Sequence, residues 1–238
     1  MGSPRATLDR VTDPFQTPRE QLAELAIDPE LLAEWPRDGV DAAAAKAAAV
    51  LVLFGGRDGG RADQPDDLDV LLLSRATTLR SHAGQIAFPG GRRDDTDLDL
   101  VQTALREAEE ETGLDPSGVD VLGMLRPLPL PYSLHVVTPV VGWWQHPSPV
   151  HARDAAESSA VFRTPIIDLT SPERRYTSVL TRDGMTWKGP AWLLDVDGAE
   201  QVLWGFTAII LDGMLDRLGW AEPWDRSRTI PAPVPPIA

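Results

Sequence analysis

The sequence predicts an α/β fold, a mixed β-sheet held between helical layers. Three observations carry that reading. Short apolar runs bounded by glycine, proline or aspartate recur at 49–54, 69–75, 119–125 and 134–144. Segments of helical period lie between and after them, so strands and helices alternate along the chain. The 134–144 run is apolar enough to be buried on both faces, which requires cover on each side of a sheet. At 238 residues, with 42% hydrophobic and 24% charged residues, the chain can bury a sizeable core. It sits near the upper range of a single domain.

In order, residues 1–40 read as an N-terminal helical extension, 41–222 as the main domain and 223–238 as a Pro-rich tail, loose or extended. Pro18 to Trp35 suits one helix, or two interrupted near Asp28-Pro29, with Leu22, Leu25, Leu31 and Leu32 free to pack. The alanine-rich 41–48 segment is either helical or runs straight into the strand 49–54. Gly55 to Asp67 is a loop, and it lacks the Gly-Lys-Ser/Thr of a nucleotide P-loop. Asp69 to Arg75 is a second strand. Pro127 to Tyr132 carries three prolines and should be a loop between the strands 119–125 and 134–144. Ala155 to Leu169 suits a helix followed by a turn at Pro165. Tyr176–Leu180 and Ala191–Leu194 suit a hairpin around Arg182-Asp183-Gly184, and Gln201 to Leu218 an amphipathic helix. Trp143, Trp144 and Trp204 are read as packed side chains.

The most informative segment is the helix expected between Asp99 and Leu114. Asp94, Asp95 and Asp97 suit its start and Gly113 its stop. Leu98, Val101, Leu105, Ala108 and Thr112 form its apolar stripe. At about 100° per residue, Glu107, Glu110 and Glu111 share one narrow sector, and Glu109 points away. Carboxylates crowded at the negative end of a helix repel one another, and a hard divalent cation with oxygen ligands would offset that repulsion. A merely solvated acidic face is the bland alternative. Phe88-Pro89-Gly90-Gly91 just upstream weighs against it, because a glycine loop lets backbone approach a ligand closely.

This loop–helix–loop resembles the signature of the Nudix hydrolases. Arg106, Glu107, Ala108, Glu110, Glu111, Gly113 and Leu114 fill the second half of that pattern at every position. In the first half, Asp97 stands where glutamate is usual, and eight residues rather than seven separate it from Arg106. A second motif precedes it: Leu71, Leu72, Leu73, Ser74, Arg75 and Ala76, then Arg80, Gly84 and Phe88 to Gly91. It is similar to the motif of the coenzyme A diphosphatase branch, with Leu73 in place of threonine. Leu203 to Ala208 is similar to a Trp-Gly-x-Thr stretch in the last helix of that branch.

The resemblance implies the Nudix α/β/α sandwich and hydrolysis of the diphosphate bond of coenzyme A or acyl-CoA, giving 3′,5′-ADP and (acyl-)4′-phosphopantetheine. It makes Glu107, Glu110, Glu111 and the Gly91 carbonyl the ligands of Mg²⁺ or Mn²⁺. It places Arg106 in the catalytic set as an orienting residue, and Arg75, Arg80, Gly90, Gly91 and Arg92 in substrate binding. Glu157 is a candidate general base whose alternative role is an exposed helix residue. For His82 and Gln85 a structural hydrogen bond is expected. Two other readings stay open: a Nudix hydrolase of ADP-ribose, NADH or a damaged nucleotide, and a catalytically silent ligand-binding module.

Partners follow from charge. A net charge of −14 opposes general binding of nucleic acid or an anionic membrane, leaving a small-molecule substrate. A homodimer is the assembly that many Nudix proteins adopt. The first residues hold no apolar signal core, Ala6 misses the myristoylation pattern, cysteine is absent and no run approaches the roughly 18 residues of a membrane span. A cytoplasmic protein is expected.

Overall fold

The computed structural model describes residues 16–36, 45–57, 60, 62–79, 82–130, 134–182 and 184–234. Its elements are α1 (Pro18–Leu25), β1 (Lys46–Gly56), β2 (Leu68–Arg75), β3 (Ile86–Ala87), β4 (Gly90–Arg92), α2 (Leu100–Thr112), β5 (Val119–Met124) and β6 (Leu128–Leu130). There follow β7 (His135–Trp144), β8 (Ser158–Pro165), α3 (Ile166–Thr170), β9 (Arg175–Arg182), β10 (Met185–Val196), β11 (Ala199–Trp204), α4 (Gly205–Leu218) and β12 (Thr229–Pro231).

The main sheet has eight strands and is mixed. The long apolar strands β1 and β7 run parallel at its centre, from Lys46↔His135 to Phe54↔Trp143, and the other pairings are antiparallel. Alternation along β1 assigns its two faces. Ala49, Leu51 and Leu53 pack with Ala104 and Ala108 of α2 on one side. Val52 and Phe54 join α1, α4 and the second sheet on the other. The result is the expected mixed sheet between helical layers. A four-stranded sheet, β11-β10-β9-β12, extends the second layer.

One detail of the main sheet positions the site. β1 and β2 pair only at Phe54↔Val70, Gly55↔Asp69 and Gly56↔Leu68, then part. The 86–92 strip fills the gap, with β3 paired to β2 and β4 paired to β1 through Ala48↔Arg92, Ala49↔Gly91 and Val50↔Gly90. The glycine loop is therefore part of the sheet.

Several expectations are corrected. Residues after α1 form turns rather than a second helix, with Leu32 at φ 58°. Leu128–Leu130 pairs with β7 despite Pro129, because a short edge strand tolerates a missing N–H. In the 155–169 segment the order is reversed: Ser158–Pro165 is a strand along β2 and the short helix follows it. Gln201 to Trp204 belong to β11, so the expected last helix starts only at Gly205, whose φ of 72° turns the chain out of the strand. The Leu203–Ala208 motif thus spans a strand end and a helix start. Leu98 is 84% exposed, since it precedes the helix; of the rest of the expected stripe Ala108 and Thr112 are buried, with Thr103, Ala104 and Glu111 beside them, and Val101 and Leu105 pack half-buried against the same core.

The N-terminal segment packs into the same core as the main domain. Leu22, Leu25 and Leu31 are buried in it. Arg217 Nε lies 2.6 Å from Asp28, and the Trp220 and Trp35 indoles donate to Gln21 Oε1 and the Pro129 carbonyl at 2.7 and 2.9 Å. Residues 229–231 form an ordered strand parallel to β9. No described helix is long and apolar enough to cross a membrane.

Candidate active site

The site is built where β4 meets α2. Asp99 caps the helix, accepting from Gln102 N at 2.8 Å, and Gly113 ends it in the left-handed conformation at φ 72°. Between these stops the acidic residues take three different roles.

Glu111 is turned into the sheet and is 9% exposed. Its carboxylate accepts from Gly90 N at 2.9 Å and lies 3.8 Å from the Arg75 guanidinium. Burial pushes its pKa up to about 7, and the negative charges of Glu107 and Glu157 act in the same direction. Glu107, one turn earlier, is also raised by burial. It faces Gly91 so closely that a Cβ there would fall 2.4 Å from its Oε2, so any side chain at that position would push the Glu107 carboxylate aside. Glu110 is turned outward, with a side chain 59% exposed and held 3.1 Å from Arg106 Nη1. Glu109 is exposed and apart, as expected.

Arg106 ties these parts together. Nε and Nη2 grip Asp97 at 2.9 and 3.0 Å, Nη2 also donates to the Arg92 carbonyl at 3.1 Å, and Nη1 reaches Glu107 at 3.0 Å. Asp97 in turn accepts from Asp94 N and Thr103 Oγ1, both at 2.9 Å. The hydrogen bond from Arg106 holds the Asp97 carboxyl well below the ordinary aspartate range. Asp97 thus clamps the glycine loop to the helix through Arg106. Sequence reasoning left its role open, although an aspartate and an arginine in one acidic segment were the available signal.

Arg75, Gly90, Gly91, Arg92, Glu107, Glu111 and Glu157 line one large groove. Arg80 lies outside the described residues. Glu157 sits in a turn before β8 rather than in a helix, exposed and near enough to Glu111 to influence it. His82 and Gln85 hydrogen-bond each other at 2.8 Å. Trp143 and Trp144 are buried, and Arg163 stacks over Trp144 at 4.8 Å.

The donor set fits a hard divalent cation. Glu107 and Glu111 present partly or largely buried carboxylates on successive turns, their negative charges oppose one another, and a cation would relieve that. Among the described residues no three such side chains already converge at metal-binding spacing, since Glu110 is engaged by Arg106.

The chain is similar to several known proteins. A profile of the NUDIX domain matches residues 43–141. An uncharacterized Nudix hydrolase, NudL, of Cronobacter sakazakii is 35% identical over 213 residues, spanning 90% of this chain and 95% of that protein. Chloroplastic Nudix hydrolase 22 of Arabidopsis thaliana is 37% identical over 172 residues, 70% of this chain and 53% of its own length. Among solved structures, the NUDIX domain of Shewanella oneidensis NrtR in complex with ADP ribose aligns with a TM-score of 0.41 at 24% identity, covering 59% of this chain and 84% of that one. The chain is a hydrolase acting on phosphorus-containing anhydrides. It belongs to the Nudix hydrolase family.

Proposed function

We propose that the protein is a cytoplasmic, divalent-metal-dependent diphosphatase of coenzyme A and its thioesters, releasing 3′,5′-ADP and (acyl-)4′-phosphopantetheine. The observation that carries this reading is where the upstream motif ends. Its Arg75 lies beside Glu111, Gly90 donates to Glu111, and Gly91 opens the space that Glu107 occupies. The residues that distinguish the coenzyme A branch thereby adjoin the residues that do the chemistry.

Glu107, Glu111 and, once released from Arg106, Glu110 would hold Mg²⁺ or Mn²⁺ together with Gly91. An ion held there would supply charge neutralisation for the diphosphate oxygens and would orient water and lower its pKa. Arg75 binds a phosphate oxygen with a planar guanidinium suited to it. Arg106 positions Glu107 and the glycine strip rather than touching substrate. Glu157, exposed at the rim beside Glu111, is placed to accept the proton of the attacking water, as is a glutamate of the helix itself.

A panel of CoA, acetyl-CoA, ADP-ribose, NADH and nucleoside triphosphates, assayed with Mg²⁺, with Mn²⁺ and with chelator, tests the reading. Metal-dependent release of 3′,5′-ADP from CoA is expected. Hydrolysis of another substrate with CoA untouched would overturn the assignment. Glu110→Gln is expected to abolish turnover with the fold intact, and retained activity would remove Glu110 from the metal set.

A further inference from the structure

The register of β4 separates two kinds of residue. Gly91 pairs with Ala49, whose side chain packs against α2, so Gly91 belongs to the carboxylate face. Arg92 pairs with Ala48 and therefore points to the opposite face. Lys46, two residues before Ala48 and paired with His135, shares that face, about 7 Å along the strand at 3.3–3.4 Å per residue. Lys46, Arg92 and Arg93 line a pocket beside the main groove, and Arg92 lines both. A ligand leaving the carboxylates in this direction meets Arg92 first and Lys46 next.

The pocket concentrates positive charge in a chain of net charge −14. Neither Lys46 nor Arg92 pairs with a carboxylate among the described residues. Arg93 donates to the carbonyls of Asp97 and Leu98, neutral acceptors that leave its charge available. Two acids share the rim with these three cations: Asp94, held in place by Thr96 N and Oγ1 at 2.9 and 2.8 Å and kept charged by them, and Asp95, so the positive groups outnumber the negative ones by one. The Arg92 carbonyl is held by Arg106, so the same arginine that reaches Glu107 fixes the distance between pocket and site.

We propose that Lys46 and Arg92 form a subsite for a second phosphate of the substrate, a phosphomonoester one sugar ring away from the scissile diphosphate. In CoA this is the 3′-phosphate, so the inference rests on the diphosphatase reading. The subsite makes the enzyme discriminate on a group that takes no part in the reaction.

The test compares kcat/KM for CoA and for 3′-dephospho-CoA, which carries the same diphosphate, in wild type, Lys46→Ala and Lys46→Arg. The wild type is expected to favour CoA by about tenfold or more, the scale of a charge-assisted contact. Lys46→Ala should reduce that preference several-fold and Lys46→Arg should retain it. The ratio is taken within each variant, so poorer folding lowers both rates and leaves it unchanged. Equal wild-type rates would overturn the subsite while leaving the diphosphatase reading intact. A full preference in Lys46→Ala would also overturn it. If neither compound is hydrolysed and ADP-ribose is, the diphosphatase reading itself fails.

Discussion

Two of the molecule's arginine–aspartate pairs act in different ways, one at the site and one behind it. Arg106, partly exposed, and Asp97, buried, form a clamp in which every guanidinium nitrogen has an acceptor. Arg175 on β9 and Asp212 on α4 form a pair with the arginine fully buried. Arg175 lies against the rings of Trp192 and Trp224 at 5.1 and 5.0 Å, and its Nε and Nη1 find no hydrogen-bond acceptor among the described residues. Burial accordingly lowers its pKa, whereas the Asp97 hydrogen bond raises that of Arg106. The same two residue types serve geometry in one place and cohesion of the second layer in the other.

The contrast is sharpest in Asp212→Ala. It leaves a buried guanidinium without the carboxylate it hydrogen-bonds, with only the unbonded charge of Asp216 acting on it, and should cost about 3–5 kcal/mol, read from urea unfolding. Activity per folded molecule should hold near wild type; a large fall in kcat with unchanged stability would dissolve the distinction. Asp97→Asn should do the reverse, lowering kcat/KM by roughly 10- to 100-fold because it frees the residue that positions Glu107 and the glycine strip. Circular dichroism should show the fold retained.

A smaller effect separates the pairs by pH. The Asp97 carboxyl is depressed in the folded state, so its contribution is complete above the ordinary aspartate value of 3.8 and is lost as pH falls below it. The stability gap between wild type and Asp97→Asn should therefore be full at neutral pH and narrower at pH 3. A gap independent of pH would show that Asp97 acts by shape alone. The smallest change is expected from Trp224→Leu, which removes one aromatic face from Arg175 and should cost about 0.5–2 kcal/mol in thermal unfolding.

What could be read in the sequence follows the range of the interactions involved. β2, β5, β7 and α2 carry their own signals in apolar runs and caps, and they stand where expected to within a residue or two. β8 does not, because it exists through pairing with a partner distant in sequence, Asp69↔Pro165, whereas β11 forms a local hairpin with β10 closed at Val196↔Ala199, so the turn residues Asp197-Gly198 were a signal that the helical reading of 201–218 passed over. The site divides in the same way. The glutamates of α2 are legible because the chemistry proposed for them calls for helical spacing. That Glu111 is buried while Glu110 faces Arg106 depends on how the helix rolls against β1 and β4. Lys46 was invisible, since only the Ala48↔Arg92 register brings it to the loop.

The parting of β1 and β2 has a thermodynamic consequence. Because the glycine strip completes the sheet, the residues proposed to meet the substrate are ordered when the chain folds, and binding would not have to order them again. Loosening this strip would require unzipping ladder hydrogen bonds next to the core. Ligand affinity and global stability are thus drawn from one set of contacts, and a substitution that weakens the sheet at Ala48 to Val50 is felt in both.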